Sequence, residues 1–118
     1  MTRILLVEDE EALRGGIAKV LRERGHEVDE AGDGEEGLEQ LRAANGAYAL
    51  VICDVTMPVL DGLSMLKAAG DSLGAARVLL MSGYAIDLPD LQGRPLNALR
   101  KPIAHNQVAD EAGALLAA

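Results

Sequence analysis

Residues 49–62, Ala-Leu-Val-Ile-Cys-Asp-Val-Thr-Met-Pro-Val-Leu-Asp-Gly, decide the fold of this chain. Five consecutive apolar residues lead into Asp54, and the turn after it opens a helical pattern. A short apolar run without alternation is typical of a parallel strand that helices cover on both faces. A carboxylate at the mouth of such a strand gains nothing from burial on its own. The stretch therefore predicts a buried strand, and it indicates that Asp54 belongs to a site shared with other polar groups.

Similar apolar runs occupy residues 4–7 and 78–81, and a weaker strand is predicted at 26–31, at an edge of the sheet. Amphipathic segments with helical spacing lie between these runs and close the chain. Asp33 and Asp61 precede two of these segments as predicted N-caps. Alternating strands and helices predict an α/β fold with a doubly wound parallel sheet, and they place any ligand outside the carboxyl ends of the strands.

One segment departs from this alternation. Residues 87–95 contain Pro89, Gly93 and Pro95 where a fourth helix is due. Proline inside a helix costs about 3 kcal/mol. We therefore expect the fourth helix to be short or irregular.

Composition limits the class of protein. A chain of 118 residues has room for one domain, which we expect to occupy 1–118, and its single cysteine cannot form an internal disulfide. No stretch approaches the roughly 20 apolar residues of a membrane span, and the first residues lack a signal-peptide pattern. We expect a soluble, cytoplasmic protein with no membrane partner. A formal charge of -8 also disfavours nucleic acid, since phosphate backbones are bound largely through Lys and Arg.

Polar residues follow the predicted central strands. They are Glu8 and Asp9, Asp54, Ser82 and Lys101. Each alone has an ordinary structural explanation as a cap, a turn residue or a solvated charge, but together they predict one site at a common rim. Crowded carboxylates repel unless a cation is present, and oxygen ligands without histidine or cysteine suit Mg²⁺. A carboxylate beside that ion can form an aspartyl phosphate, with Lys101 and Ser82 meeting the phosphoryl oxygens.

These residues resemble the receiver domain of bacterial two-component response regulators. The resemblance rests on Glu8-Asp9, the segment Asp54-Val-Thr-Met-Pro-Val-Leu-Asp-Gly62, Ser82-Gly83 and Lys101-Pro102. It implies a flavodoxin-like fold with strand order 2-1-3-4-5, and a phosphohistidine on a histidine kinase or phosphotransfer protein as the donor.

The resemblance also implies a role for each residue. Asp54 would be the phosphoacceptor. Asp9 would bind Mg²⁺ directly, Glu8 largely through water, and Thr56 through its backbone carbonyl. Ser82 would be the switch hydroxyl and Lys101 the phosphoryl-binding cation, with a cis peptide between Lys101 and Pro102.

Two departures from the receiver pattern concern the surface that passes the signal to a partner protein. Receivers usually carry an aromatic residue three positions before the lysine, where this chain has Ala98. Together with the interrupted fourth helix, Ala98 puts the family's usual output face in doubt. Tyr84 is the aromatic residue nearest Ser82 in sequence; it either covers the site or is an ordinary exposed loop residue.

Two alternatives are open for the protein that this receiver serves. The loop at 80–85 and the closing residues 115–118 resemble CpdR-type single-domain receivers of alphaproteobacteria, which prime the ClpXP protease, and this implies a ClpX component as partner. The same Ser-Gly-Tyr loop occurs in receiver domains of hybrid histidine kinases, so the chain is alternatively a part of such a kinase.

Rival functions are weaker. Residues 32–37 match the dinucleotide fingerprint G-x-G-x-x-G, but their acidic side chains would oppose a pyrophosphate. A phosphatase of the haloacid dehalogenase type needs a second acid two residues after its nucleophile, where this chain has Thr56. We expect Cys53 to be buried and inert, and His26 and His105 to be surface residues.

Overall fold

The computed structural model describes residues 2–118 and places five strands and four α-helices in that range. In chain order these are β1 (Arg3–Val7), α1 (Glu11–Glu23), β2 (Glu27–Ala31), α2 (Gly34–Ala44), β3 (Leu50–Asp54), α3 (Gly62–Ala69), β4 (Arg77–Ser82), β5 (Leu96–Arg100) and α4 (His105–Ala117). A short 3₁₀ turn, Gly70–Leu73, follows α3. Across residues 2–118, no helix combines the length and the apolar character that crossing a membrane requires.

The five strands form one parallel sheet in the order β2-β1-β3-β4-β5. This arrangement confirms the predicted doubly wound fold, its strand order and the edge position of β2. The chain moves from β1 outward to β2 and then crosses to β3 on the other side of β1. Connections leave β1 and β3 in opposite directions at this point, so a crevice opens at their carboxyl ends.

Two apolar cores sandwich the sheet because successive strand residues point to opposite faces. On β1, Leu5 and Val7 face one core, with α2 and α3, whereas Ile4 and Leu6 face the other, with α1 and α4. All five residues of β3 are buried. Burial on both faces explains why this strand reads as an unbroken apolar run, and it holds Asp54 at the sheet edge between the two cores.

The predicted caps define where two helices begin. The Asp33 carboxylate accepts a hydrogen bond from the Glu36 backbone N–H at 2.8 Å, at the start of α2. The Asp61 carboxylate likewise accepts from the Ser64 backbone N–H at 2.8 Å, at the start of α3. Each acid satisfies a backbone donor that has no partner within its helix.

The connection between β4 and β5 contains no helical turn, because residues 83–95 are irregular throughout. The prediction of a short or irregular helix was right about the interruption, and the structure goes further. Ile86 and Leu91 pack against the core beside α2 and α3, and the Arg94 guanidinium donates to the carbonyl oxygens of Gly74 and Ala76 at 3.1 and 2.6 Å. These contacts hold the segment in place of a helix.

Candidate functional site

Three carboxylates meet at the carboxyl edge of the sheet. Glu8 and Asp9 follow β1, and Asp54 is the last residue of β3. One oxygen from each lies within 4.8 Å of the others. Glu8 and Asp54 are 0% and 1% exposed, whereas Asp9 is exposed to solvent. The fold thus brings together the three acids that the sequence placed at the strand ends.

Lys101 supplies the positive charge of this cluster. It follows β5, and its Nζ lies 2.8 Å from Glu8 Oε1 and 2.9 Å from Asp54 Oδ1. The contact with Glu8 has hydrogen-bond geometry, whereas the contact with Asp54 Oδ1 is an ion pair outside that geometry. The peptide bond between Lys101 and Pro102 is cis, as the resemblance to receiver domains implied.

Buried acceptor atoms in the cluster lack hydrogen-bond donors. They are Glu8 Oε2 and both carboxylate oxygens of Asp54. Burial raises the pKa of Asp54, and the nearby Lys101 ammonium opposes that rise. Buried polar atoms are nearly always satisfied in native proteins, so unsatisfied oxygens in one cluster point to an additional ligand.

The donor set fits a hard divalent cation. Three carboxylates and one ammonium, when all are ionised, leave two negative charges uncompensated. Carboxylate oxygens with access to solvent through Asp9 match the preference of Mg²⁺, which keeps several waters. Within residues 2–118, Glu8, Asp9 and Asp54 form the one group of three acidic, histidine or cysteine side chains whose ligand atoms lie close enough together to hold a metal ion.

The turn after β3, residues 55–62, packs against the end of the strand that carries Asp54. The Gly62 backbone N–H donates to the Val55 carbonyl at 3.0 Å, which folds residues 55–62 back against the strand end. A Cβ at Gly62 would collide with the Asp54 carbonyl oxygen. Glycine is therefore required here by close backbone approach, and α3 begins directly beneath the phosphoacceptor candidate.

Ser82 and Thr56 lie at the site, but each hydroxyl has a partner in the loop after β4. Ser82 is 4% exposed, and its Oγ donates to the Tyr84 carbonyl at 2.7 Å. The Thr56 Oγ1 and the Tyr84 phenol oxygen are 3.2 Å apart, within hydrogen-bond distance. Tyr84 is about half exposed. It is therefore neither a cover over the acids nor a free loop residue, but a bridge between two loops.

The remaining sequence motifs have structural roles. Gly34 in the fingerprint-like stretch packs so closely on Leu60 that a Cβ would collide with its carbonyl oxygen, so this glycine serves contact between α2 and the turn. Cys53 is buried, as predicted, and desolvation raises its thiol pKa to about 12, which disfavours the reactive thiolate. His105 is exposed, as predicted, and its ring packs over Gly16. His26 is partly buried rather than on the open surface, because it sits in the turn before β2.

Sequence reasoning missed Arg14. Its Nη1 donates to the Glu8 backbone carbonyl at 2.8 Å, and its Nε donates to Glu30 Oε1 at 3.3 Å. Arg14 therefore ties the acid-bearing turn after β1 to α1 and β2. The available signal was a basic residue in the early part of a helix whose start follows three acids, but helical spacing alone does not show which carbonyl it reaches.

Comparison with known proteins agrees with this geometry. The family profile described as response regulator receiver domain matches residues 4–110. The receiver domain of the hybrid histidine kinase CckA has a crystal structure with 43% identity and a TM-score of 0.85, and the match covers 97% of this chain and 98% of that one. TrrA of Thermotoga maritima, solved in complex with Mg(2+)-BeF, has 30% identity and a TM-score of 0.76, with coverage of 98% and 99%.

Among curated sequences, the sensor kinase CckA of Brucella abortus is 39% identical over 84 residues. That match covers 71% of this chain but 9% of the kinase. The chain spans less than half the length of the first curated relatives it matches, with 42% as the largest share among the first four.

The chain belongs to the response regulator receiver domain family. Its class is that of phosphoacceptor proteins in two-component signalling, not metabolic enzymes. This membership argues against the dinucleotide-binding and phosphatase alternatives.

Proposed function

We propose that Asp54 accepts a phosphoryl group from a phosphohistidine of a histidine kinase or histidine phosphotransfer protein. The carrying observation is a buried carboxylate, both of whose oxygens lack hydrogen-bond donors, beside two more acids and one lysine. Such an oxygen is free to form a new bond, and the lysine meets the charge that phosphoryl transfer brings into the site. Residues 1–118 form one receiver domain in this proposal.

Glu8, Asp9, Asp54 and the Thr56 backbone carbonyl would hold Mg²⁺. When bound, the ion neutralises the carboxylates and polarises the phosphoryl oxygens. The unsatisfied oxygens of Glu8 and Asp54 and the excess negative charge support this ligand set. TrrA, described in complex with Mg(2+)-BeF, supports it by similarity.

In the transfer step, an Asp54 carboxylate oxygen bonds to phosphorus while the bond from phosphorus to the donor imidazole nitrogen breaks. The bonding pair remains on that nitrogen. Lys101 has three N–H donors, so its ammonium can turn one toward a phosphoryl oxygen while it keeps its hydrogen bond to Glu8. Ser82 supplies a second donor from the end of β4.

The product of this reaction is a conformational state that changes affinity for a protein partner. A phosphoryl group shifts a population only when it interacts differently with two conformations. Lys101 and Ser82 are the proposed source of that difference, because both exchange contacts with protein atoms for contacts with phosphoryl oxygens.

Incubation with Mg²⁺ and acetyl phosphate, followed by intact mass, tests the proposal. We expect the parent chain to gain one phosphoryl group, Asp54→Asn to gain none, and EDTA to abolish labelling. Glu10→Gln is the matched control, because Glu10 is an exposed acid next to the cluster and outside it. Equal labelling of Asp54→Asn and the parent would refute the assignment.

We propose two alternative contexts in which this receiver domain acts. Similarity over nearly the whole chain to the CckA receiver domain favours a receiver within a hybrid histidine kinase. The stand-alone alternative is a ClpXP adaptor that binds a ClpX component when unphosphorylated, supported by the loop at 80–85. Both contexts are cytoplasmic. The genomic open reading frame distinguishes them, and a pull-down with purified ClpX tests the adaptor: stronger recovery after phosphorylation would contradict it.

A further inference from the structure

Tyr84 forms hydrogen bonds with both hydroxyl groups next to the acid cluster, those of Ser82 and Thr56. The Ser82 Oγ donates to the Tyr84 carbonyl at 2.7 Å and accepts from the Tyr84 backbone N–H at 3.1 Å. The Tyr84 phenol group is 3.2 Å from Thr56 Oγ1. One residue of the loop after β4 therefore holds Ser82 by its backbone and reaches the turn after β3 by its side chain.

Tyr84 also lines an open recess at the surface. This recess has a volume of about 190 Å³ and is bounded by the loop after β4 and by β5, with Ile86, Ala98, Leu99 and Arg100 among its walls. An apolar cavity of about 150 Å³ is large enough to bind benzene. The recess therefore has room for a phenol ring, and the short side chain of Ala98 leaves that room open.

We infer that Tyr84 has two positions: one bridged to Thr56, and a second in which its ring fills the recess over Ala98. Tyr84 is a positioning residue that links Ser82 to the surface beside β5. This inference rests on the proposed phosphorylation of Asp54, which would select the second position.

The bias toward the second position follows from the hydrogen bonds of Ser82. A hydroxyl has a single proton to donate. The Ser82 proton is given to the Tyr84 carbonyl, so a bond from Ser82 to a phosphoryl oxygen must break that contact. Breaking it frees the backbone of Tyr84 to turn, and packing of the half-exposed ring against the apolar wall of the recess, Ile86, Ala98 and Leu99, then favours the turned loop. Arg100 at the wall of the recess provides a donor for the phenol oxygen.

Tyrosine fluorescence measures the position directly, because the chain contains two tyrosines, no tryptophan and no phenylalanine. Tyr48→Phe leaves Tyr84 as the sole fluorophore. In this background, we expect the bimolecular acrylamide quenching constant to fall at least twofold after Mg²⁺ and acetyl phosphate, because the ring leaves solvent. An unchanged constant, or a rise from release of the ring into water, would overturn the inference.

Intact mass on the same sample separates this inference from the proposed function. Full phosphoryl labelling with unchanged quenching would refute the two positions and leave the phosphoacceptor role intact. Absent labelling would refute the phosphoacceptor role itself, and with it the inference that rests on it.

Ala98→Leu provides the matched variant, since it fills the recess without touching the acid cluster. It should label normally, yet its quenching constant should stay at the unphosphorylated value. A fall equal to that of the parent background would show that the ring goes elsewhere. Tyr48→Phe with Asp54→Asn, treated with the same donor, controls for effects of acetyl phosphate on quenching.

Discussion

Two polar clusters differ in how well their atoms are paired. The carboxyl-edge cluster holds the acids and Lys101, and the amino-edge cluster joins Arg3 at the start of β1 to Asp29 in the middle of β2 and to Tyr48 before β3. At the carboxyl edge, three buried oxygens of Glu8 and Asp54 lack hydrogen-bond donors. In the amino-edge cluster, Asp29 Oδ2 accepts from Arg3 at 3.1 Å and from the Tyr48 hydroxyl at 2.7 Å. No buried side-chain oxygen or nitrogen of Arg3, Asp29 or Tyr48 lacks a partner.

The difference teaches how to tell a functional cluster from a structural one. The amino-edge cluster is closed. The Arg3 guanidinium also lies 4.7 Å from the centre of the Tyr48 ring, and burial, together with the hydrogen bond to Asp29, raises the pKa of that tyrosine. Satisfied polar networks add stability and rigidity. The carboxyl-edge cluster keeps acceptor oxygens that have no hydrogen-bond donor. These oxygens lower the stability of the free protein, and they suit the binding of a cation and a phosphoryl group.

The largest expected effect comes from removing the Lys101 ammonium, which pairs with Glu8 and Asp54 in the carboxyl-edge cluster. Lys101→Ala leaves Glu8 and Asp54 buried without a counterion, and we expect a loss of about 3 kcal/mol in the free energy of unfolding. Urea denaturation measures the loss. Lys19→Ala, on the exposed side of α1, is the matched control and should change stability by less than about 0.5 kcal/mol. Equal effects of the two substitutions would show that the cluster is screened by solvent.

Asp54→Asn should act with the opposite sign. It removes one buried charge whose oxygens are unsatisfied, while Lys101 keeps its hydrogen bond to Glu8. We expect a gain of about 1–2 kcal/mol in the absence of divalent cations. Added Mg²⁺ should raise the thermal midpoint of the parent and not of the variant. A variant less stable than the parent would mean that Asp54 is structural.

Tyr48→Phe probes the closed cluster. Deleting the hydroxyl removes its hydrogen bond to Asp29, and a loss of about 1 kcal/mol is expected. Phosphoryl labelling of Asp54 should remain at the parental level, because the partners of the Tyr48 hydroxyl, Asp29 and Gln40, lie outside the acid cluster. Impaired labelling would show that the amino-edge cluster influences the phosphoacceptor site.

The smallest effect is a dependence on pH. Burial raises the pKa of Asp54 in the folded protein, so the folded state holds that proton more tightly than the unfolded state. Stability from this group therefore falls as pH rises from the usual carboxyl range, near 4, through the raised folded pKa. The advantage of Asp54→Asn over the parent should grow as pH rises through the raised folded pKa and shrink toward pH 4.

Asp61 provides the control of opposite sign. Hydrogen bonds from Ser64 at the start of α3 lower the Asp61 pKa, so its contribution is present at neutral pH and is lost as pH falls through that lowered pKa. Denaturation of Asp61→Asn between pH 3 and 7 should show the reverse trend to Asp54→Asn. Parallel trends would contradict the assigned causes.

Most of the fold was predictable because its signals are local. Unbroken apolar runs identified β1, β3 and β4, and cap residues identified the starts of α2 and α3. The irregular segment was predicted only in part. Pro89, Gly93 and Pro95 disfavour a helix, but the contacts of Arg94 with the carbonyl oxygens of Gly74 and Ala76 come from distant residues.

The sequence by itself determined that the candidate acids, the serine and the lysine reach one rim, because the carboxyl ends of parallel strands lie at the same edge of a sheet. Only the tertiary structure decided how they pair. Lys101 joins Glu8 across 93 positions of sequence, and Tyr84 holds Ser82 and meets Thr56. Rotamers and loop packing set these contacts, and strand periodicity carries no information about either.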